Sequence, residues 1–159
     1  MALAFRLADE ADAAFIVQSW LASFRTAHAA GLIAMEDWRE VMGAQIRKML
    51  VRPGVSVWVA HHPGEEDHRA DLYGWVAVEG RPDSVPLVLY CYVKHAYRQM
   101  GIASRLLSAA GVTDRYDYAA KTEMLGRIAR KRSRTLARGR WDPLAARYRR
   151  RSSNPEGAR

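Results

Sequence analysis

The sequence predicts an α/β (α+β) domain in which a mixed, mostly antiparallel central sheet is flanked by helices. Three observations carry this. Apolar residues recur at helical spacing over two early stretches, Phe15, Ile16, Trp20 and Phe24 in one and Trp38, Met42, Gln45 or Ile46, and Met49 in the other. Three runs rich in β-branched and aromatic residues follow in series at 55–60, 72–78 and 85–93. A further helical run at 101–110 then leads to a short extended segment at 116–121. Layered packing satisfies this order, because each helix has one apolar face and a sheet can receive it. With 159 residues and 49% hydrophobic composition, the chain can build one sizeable core.

Taken in order, Ala4 to Leu7 reads as a short strand. Asp9 follows as a helix cap, and Asp12 adds a carboxylate in the first turn, where aligned peptide dipoles favour negative charge. Gly31 separates this helix from a second at 35–50, which Arg52-Pro53-Gly54 stops. The polar run 61–71 places His61, His62 and His68 beside Glu65, Glu66 and Asp67, a spacing that matches no metal-ligand pattern and reads as a hydrated loop between strands. Gly80, Pro82 and Asp83 make the next turn, and Pro86 stands near the start of the strongest strand signal. The three strands are expected to form an antiparallel meander. Ile102, Leu106, Leu107 and Ala110 give the following helix its apolar side, and Gly111 is placed to end it. Residues 123–138 read as a basic helix and 141–148 as another packed element. The expected domain spans 1–148 with a basic portion at 121–148, and 149–159 is expected to be a basic, flexible tail.

The formal charge of +8 is unevenly spread: residues 1–120 hold 12 basic and 14 acidic side chains, whereas 121–159 hold 13 and 3. All the excess positive charge is therefore local. On a helix Arg127, Arg130, Arg134 and Arg138 would form one stripe, and Arg149-Arg150-Arg151 repeats the theme. The simplest reading is a solvated face that keeps the protein soluble and draws in anionic ligands; residues 127–151 are the segment through which nucleic acid or an acidic protein would make contact as the alternative. The single cysteine, Cys91, excludes an intrachain disulfide and reads as a buried small side chain of an apolar strand rather than a nucleophile. No stretch approaches the roughly 20 apolar residues of a membrane span, so no span is expected and a cytoplasmic protein is.

The chemistry-bearing segment runs from Val93 through Arg98-Gln99-Met100-Gly101-Ile102-Ala103 to Ser104, from strand through loop into helix. Such a helix start leaves amides near Gly101 to Ser104 without intrahelical acceptors and turns the positive dipole end to the same place. A phosphate-bearing ligand would supply the acceptors. Gly101 withholds a side chain where it would approach, Ala103 leaves room beside it, and Arg98 offers a charge-assisted contact. In that setting the six residues closely resemble the signature of the GNAT superfamily of acetyl-CoA-dependent N-acyltransferases: Gln or Arg, two residues, Gly, one residue, Gly or Ala, after a strand and opening a helix. The resemblance covers residues 3–121, in decreasing detail.

The resemblance implies a GNAT-like fold whose strand ending at Val93 splays from the following parallel strand to form the cofactor cleft. It implies acetyl-CoA as cosubstrate, with Arg98, Gln99, Met100, Gly101, Ile102, Ala103 and Ser104 at the pyrophosphate and Val93 at the pantetheine arm. The implied reaction is direct transfer, in a ternary complex, to a primary amine of an unidentified small molecule or protein, with a backbone N–H near Val93 facing the oxyanion. Glu79, near a strand end, is a candidate base, and His95 is another. Relatives use a tyrosine on the next helix as the acid toward the thiolate, but 123–138 contains none, which leaves Tyr116 and Tyr118 as candidates. The competing reading is a non-catalytic GNAT-like scaffold that binds nucleic acid or an acidic protein through its basic end. An exposed strand edge or helix face would allow a homodimer.

Overall fold

The computed structural model describes residues 2–27, 34–63 and 72–119. Within them the order is β1 (Ala4–Leu7), α1 (Ala13–Ala27), α2 (Met35–Leu50), β2 (Val55–His61), β3 (Leu72–Glu79), β4 (Leu87–Val93), α3 (Ile102–Ala109) and β5 (Asp117–Tyr118). The strands form one sheet in chain order, antiparallel from β1 to β4 and parallel between β4 and β5.

Local chemistry sets the element ends. Asp9 caps a 3-10 turn, Glu10–Asp12, that leads into α1: its carboxylate accepts from Ala11 N–H at 2.9 Å, and the Asp12 carboxylate accepts from Asp9 N–H at 2.9 Å. This reciprocal box satisfies donors that a helix start otherwise strands. Arg6 on β1 grips the buried Asp12 through two bonds of 2.6 and 3.0 Å, which pins the first strand to the first helix. At the other extreme, Gly111 (φ 75°) ends α3 as expected. Its N–H donates to Ser108 O at 3.0 Å and that of Val112 to Leu107 O at 2.8 Å, which satisfies two carbonyls of the last turn.

Strand alternation sorts the side chains to two faces. On the face covered by α1 and α2, Trp20, Phe24, Trp38, Trp75 and Tyr90 are buried together; α3 covers the other, with Val76, Val88, Cys91, Val93 and Leu106. Trp20 stacks on Tyr90 with ring centroids 5.0 Å apart, and Phe24 on Trp38 at 5.8 Å. Pairs of this kind contribute about 0.5–1.5 kcal/mol each beyond the area they bury. Their polar tips are partnered too. Trp75 Nε1 donates to Ser19 Oγ at 2.8 Å, and the Tyr90 hydroxyl lies 3.0 Å from Ser23 Oγ. Ser23 Oγ also lies 2.6 Å from Ser19 O, so the serine ties the Tyr90 hydroxyl to the backbone of α1.

One irregularity shapes the middle of the sheet. Ala77 pairs with Tyr90 but Val78 with Val88, so Leu89 is an extra residue in β4. This bulge puts Leu89 and Tyr90 in succession on the α1 side.

Beyond shifts of a residue or a turn at other element ends, the observed elements differ from the expected ones at three places around the β4–α3 crossing. β4 starts at Leu87, not 85, since Pro86 has no N–H for the ladder; its carbonyl instead accepts from Asp117 N–H at 3.0 Å. Gly101 caps α3 from a left-handed conformation rather than belonging to it. β5 is confined to two residues, and 120–121 lie outside the described residues. Gly31, most of the loop at 61–71, the helix expected at 123–138, the element at 141–148, the basic run 127–151 and the tail 149–159 lie outside them as well. Among the described residues, no helix is long and apolar enough to cross a membrane.

Candidate cofactor cleft

Among the described residues, β4 and β5 pair at one end only. Leu87 aligns with Asp117 and Val88 with Tyr118, and Ala119 N–H reaches Val88 O at 2.9 Å. Arg81 reinforces this closed end by donating to the Asp117 carboxylate at 3.1 Å. β4 continues to Val93, and among the described residues no strand pairs with its β5-side edge beyond Val88.

The ladder dictates which peptide groups line that edge. Lys94 N–H donates to Tyr73 O at 2.9 Å, toward β3. Successive peptide groups along a strand point to opposite edges, so Val93 and Cys91 present theirs on the β5 side. There the Val93 carbonyl accepts Arg98 Nε at 3.1 Å. β3 approaches this end closely because Gly74 lacks a side chain: a Cβ would lie 2.5 Å from the Tyr92 carbonyl oxygen.

From Val93 the chain passes through a 3-10 turn, His95–Tyr97, which the Tyr97 ring anchors edge-on to Tyr73 at 4.6 Å. Gln99 (φ 70°) and Gly101 (φ 77°) are both left-handed. No side chain caps α3, and the first bond into it runs from Arg105 N–H to Gly101 O at 3.1 Å. The amides of Ile102, Ala103 and Ser104 thus stand at the positive end of the helix ahead of any intrahelical acceptor. A left-handed residue followed by a right-handed one also turns neighbouring amides to one side, as in anion-binding nests. Arg98, Gln99, Met100 and Gly101 are exposed, whereas Ile102 and Ala103 are buried. A Cβ on Gly101 would meet nothing within 4 Å, so the approach to the cap is clear. Convergent amides, a positive dipole end and this clearance fit a diphosphate.

The expected cofactor residues Val93, Arg98, Gln99, Met100, Gly101, Ile102, Ala103 and Ser104 therefore lie in one continuous segment, from the end of β4 into α3, beside an edge that no strand pairs among the described residues. The candidate acid and base groups do not join them. Glu79 pairs with Val55 and Leu87 at the opposite end of the sheet, five residues along β3 from Gly74, or about 17 Å of strand, and its carboxylate accepts from Arg52. Tyr118 faces Val88 at the closed end, and both it and Tyr116 are buried in the α3-side core. His95 is exposed on the 3-10 turn. Cys91 is sealed in the core, and burial pushes its thiol up to about 12, away from the thiolate that nucleophilic chemistry needs.

Sequence reasoning missed one group. Lys94 Nζ lies 5.2 Å from the centroid of the Phe15 ring, which itself meets Tyr92 edge-on at 6.1 Å. Phe15 reads as an ordinary member of an inward stripe. The two-residue spacing of Tyr92 and Lys94 was the available signal, since it puts both on one face of a strand.

No protein-family profile matches the chain, and no curated protein matches it in sequence. Solved structures do resemble it. A provisionally named acetyl transferase from Pyrococcus furiosus is 17% identical with a TM-score of 0.57, the match covering 99% of this chain and 97% of that one. An integron cassette protein from the mobile metagenome of V. cholerae is 15% identical with a TM-score of 0.57, covering 97% and 99%. The PaiA N-acetyltransferase of Thermoplasma acidophilum, solved in complex with coenzyme A, is 16% identical with a TM-score of 0.52, covering 96% and 89%. At these identities the likeness is one of architecture, and by that measure the chain has the fold of the GNAT acetyltransferases.

Proposed function

We propose that the protein is an acetyl-CoA-dependent N-acetyltransferase that moves an acetyl group to a primary amine by direct transfer. The observation that carries this reading is the glycine-opened start of α3, which no side chain caps, beside the part of β4 that, among the described residues, no strand pairs on the β5 side. The acetyltransferase fold supports it.

The amides of Ile102, Ala103 and Ser104, with Arg98, Gln99, Met100 and Gly101 around them, would hold the pyrophosphate. Peptide groups of Val93 and Cys91 would meet the amides of the pantetheine arm or the oxyanion that develops on the thioester carbonyl. Bound acetyl-CoA supplies an activated acyl carbon: the amine lone pair forms the C–N bond, the C–S bond breaks with its electrons going to sulfur, nitrogen loses a proton and the thiolate gains one. An amine with a lysine-like pKa arrives charged, so a further proton must leave before attack. Glu79 is engaged by Arg52 and the two tyrosines sit at the closed end, an arrangement that favours water over these side chains as proton carrier. A polyanion contact through residues 127–151 rests on their charge alone and is compatible with transfer.

Calorimetric titration with acetyl-CoA, paired with a mass-resolved screen of amine acceptors, tests the reading. The native chain should bind and transfer, and Gly101→Asp, which sets a carboxylate in the cradle, should weaken acetyl-CoA binding by at least about tenfold, or ~1.4 kcal/mol, with the far-UV spectrum unchanged. Absence of binding by the native chain, or undiminished binding by the variant, would overturn it.

A further inference from the structure

We propose that the acceptor amine also carries a carboxylate and that Lys94 selects it; the inference rests on the transferase reading above. Side chains of Cys91 and Val93 point toward α3, so Tyr92 and Lys94 share the opposite, α1 face. An acyl carrier lying along the β4 edge, with its diphosphate at the start of α3, has that helix on one side. The α1 face is the other approach to its thioester. On that approach Phe15, Tyr92 and Lys94 are half-buried, whereas Tyr90 is sealed beneath them at 2% exposure.

The group has a specific chemistry. The Lys94 ammonium lies over the Phe15 ring at 5.2 Å, and among the described residues no carboxylate forms an ion pair with it. A ring quadrupole returns part of what a half-buried ammonium loses in hydration, and leaves it able to gain more from an anion. The same charge repels an acceptor whose other groups are cationic, so it discriminates by exclusion as well as by attraction. Phe15 and Tyr92 add an apolar wall beside the charge. The ligand that fits all three is an amine with a carboxylate near an apolar or aromatic body. The bonds made and broken are those of the transfer described above, the carboxylate taking no part in them.

The test uses the full chain, acetyl-CoA and two matched acceptor pairs, tyrosine against tyramine and phenylalanine against phenethylamine. The carboxylate-bearing member of each pair should be preferred by roughly tenfold in kcat/KM, Lys94→Gln should bring the ratio near unity, and Lys94→Glu should invert it, with acetyl-CoA affinity unchanged. Equal or better use of the decarboxylated amines by the native chain, or acetyl-CoA binding without transfer to either amino acid, overturns the proposal. So does a Lys94→Gln variant that keeps the preference and binds acetyl-CoA more weakly, which would assign the lysine to a cofactor phosphate. A native chain that binds no acetyl-CoA instead defeats the transferase reading, an outcome read separately by titration.

Discussion

Cys91 and Tyr90 are neighbours on β4 that face opposite cores, and the difference decides what each can do. With its pKa near 12 and its side chain 2% exposed, Cys91 should resist a disulfide exchange reagent in the native state near pH 8 and react at an ordinary rate in denaturant. Cys91→Ala should leave the transfer rate unchanged; a loss of transfer would show that the acetyl group passes through that sulfur. Tyr90 is a hydroxyl held neutral: burial raises its pKa, opposed in part by the Ser23 hydrogen bond. The native state therefore keeps a proton that the unfolded chain releases. Its contribution is complete below the ordinary tyrosine value of about 10 and is lost as pH rises through the higher native value. Tyr90→Phe should cost about 1 kcal/mol at neutral pH and flatten this alkaline loss, as followed by urea unfolding across pH. Asp9 and Asp12 were readable as helix-start residues because their partners are local. The burial of Asp12 under Arg6 was not, because that partner comes from a different element.

Elements whose ends are set by nearby chemistry were legible in the chain. β1 and α2 fall where their apolar spacing and the Arg52-Pro53-Gly54 stop put them, and α3 ends at Gly111, whose N–H donates to Ser108 O while that of Val112 donates to Leu107 O. The glycine-opened turn before α3 was legible for the same reason, its glycine and its amides being neighbours in sequence. Gly74 was not. In sequence it is a small residue inside a strand, and its reason is a carbonyl on another strand. Gly74→Ala should force the ends of β3 and β4 apart, with a stability loss of roughly 1–3 kcal/mol in urea unfolding and a raised KM for acetyl-CoA, because the same backbone carries Val93. An unchanged KM beside a lowered stability would separate the fit of the strands from the cofactor edge.

At the scale of the molecule, the order of strands and helices followed from periodicity, whereas the distribution of chemistry over the sheet depended on pairing. Glu79, Tyr116 and Tyr118 have side chains suited to proton transfer, yet register places them toward the closed end, and Lys94 gains its interest only once α1 is laid across β4. Leu89 sets that distribution. Downstream of this extra residue the even-numbered aromatics Tyr90 and Tyr92 face α1 and Cys91 and Val93 face α3, whereas upstream the even-numbered Val88 faces α3. The insertion is a phase shift written into one strand. Deleting it would do more than shorten β4, since the ribbon beyond would be turned over, presenting its thiol and valine to α1 and driving two phenols and an ammonium into the core beneath α3.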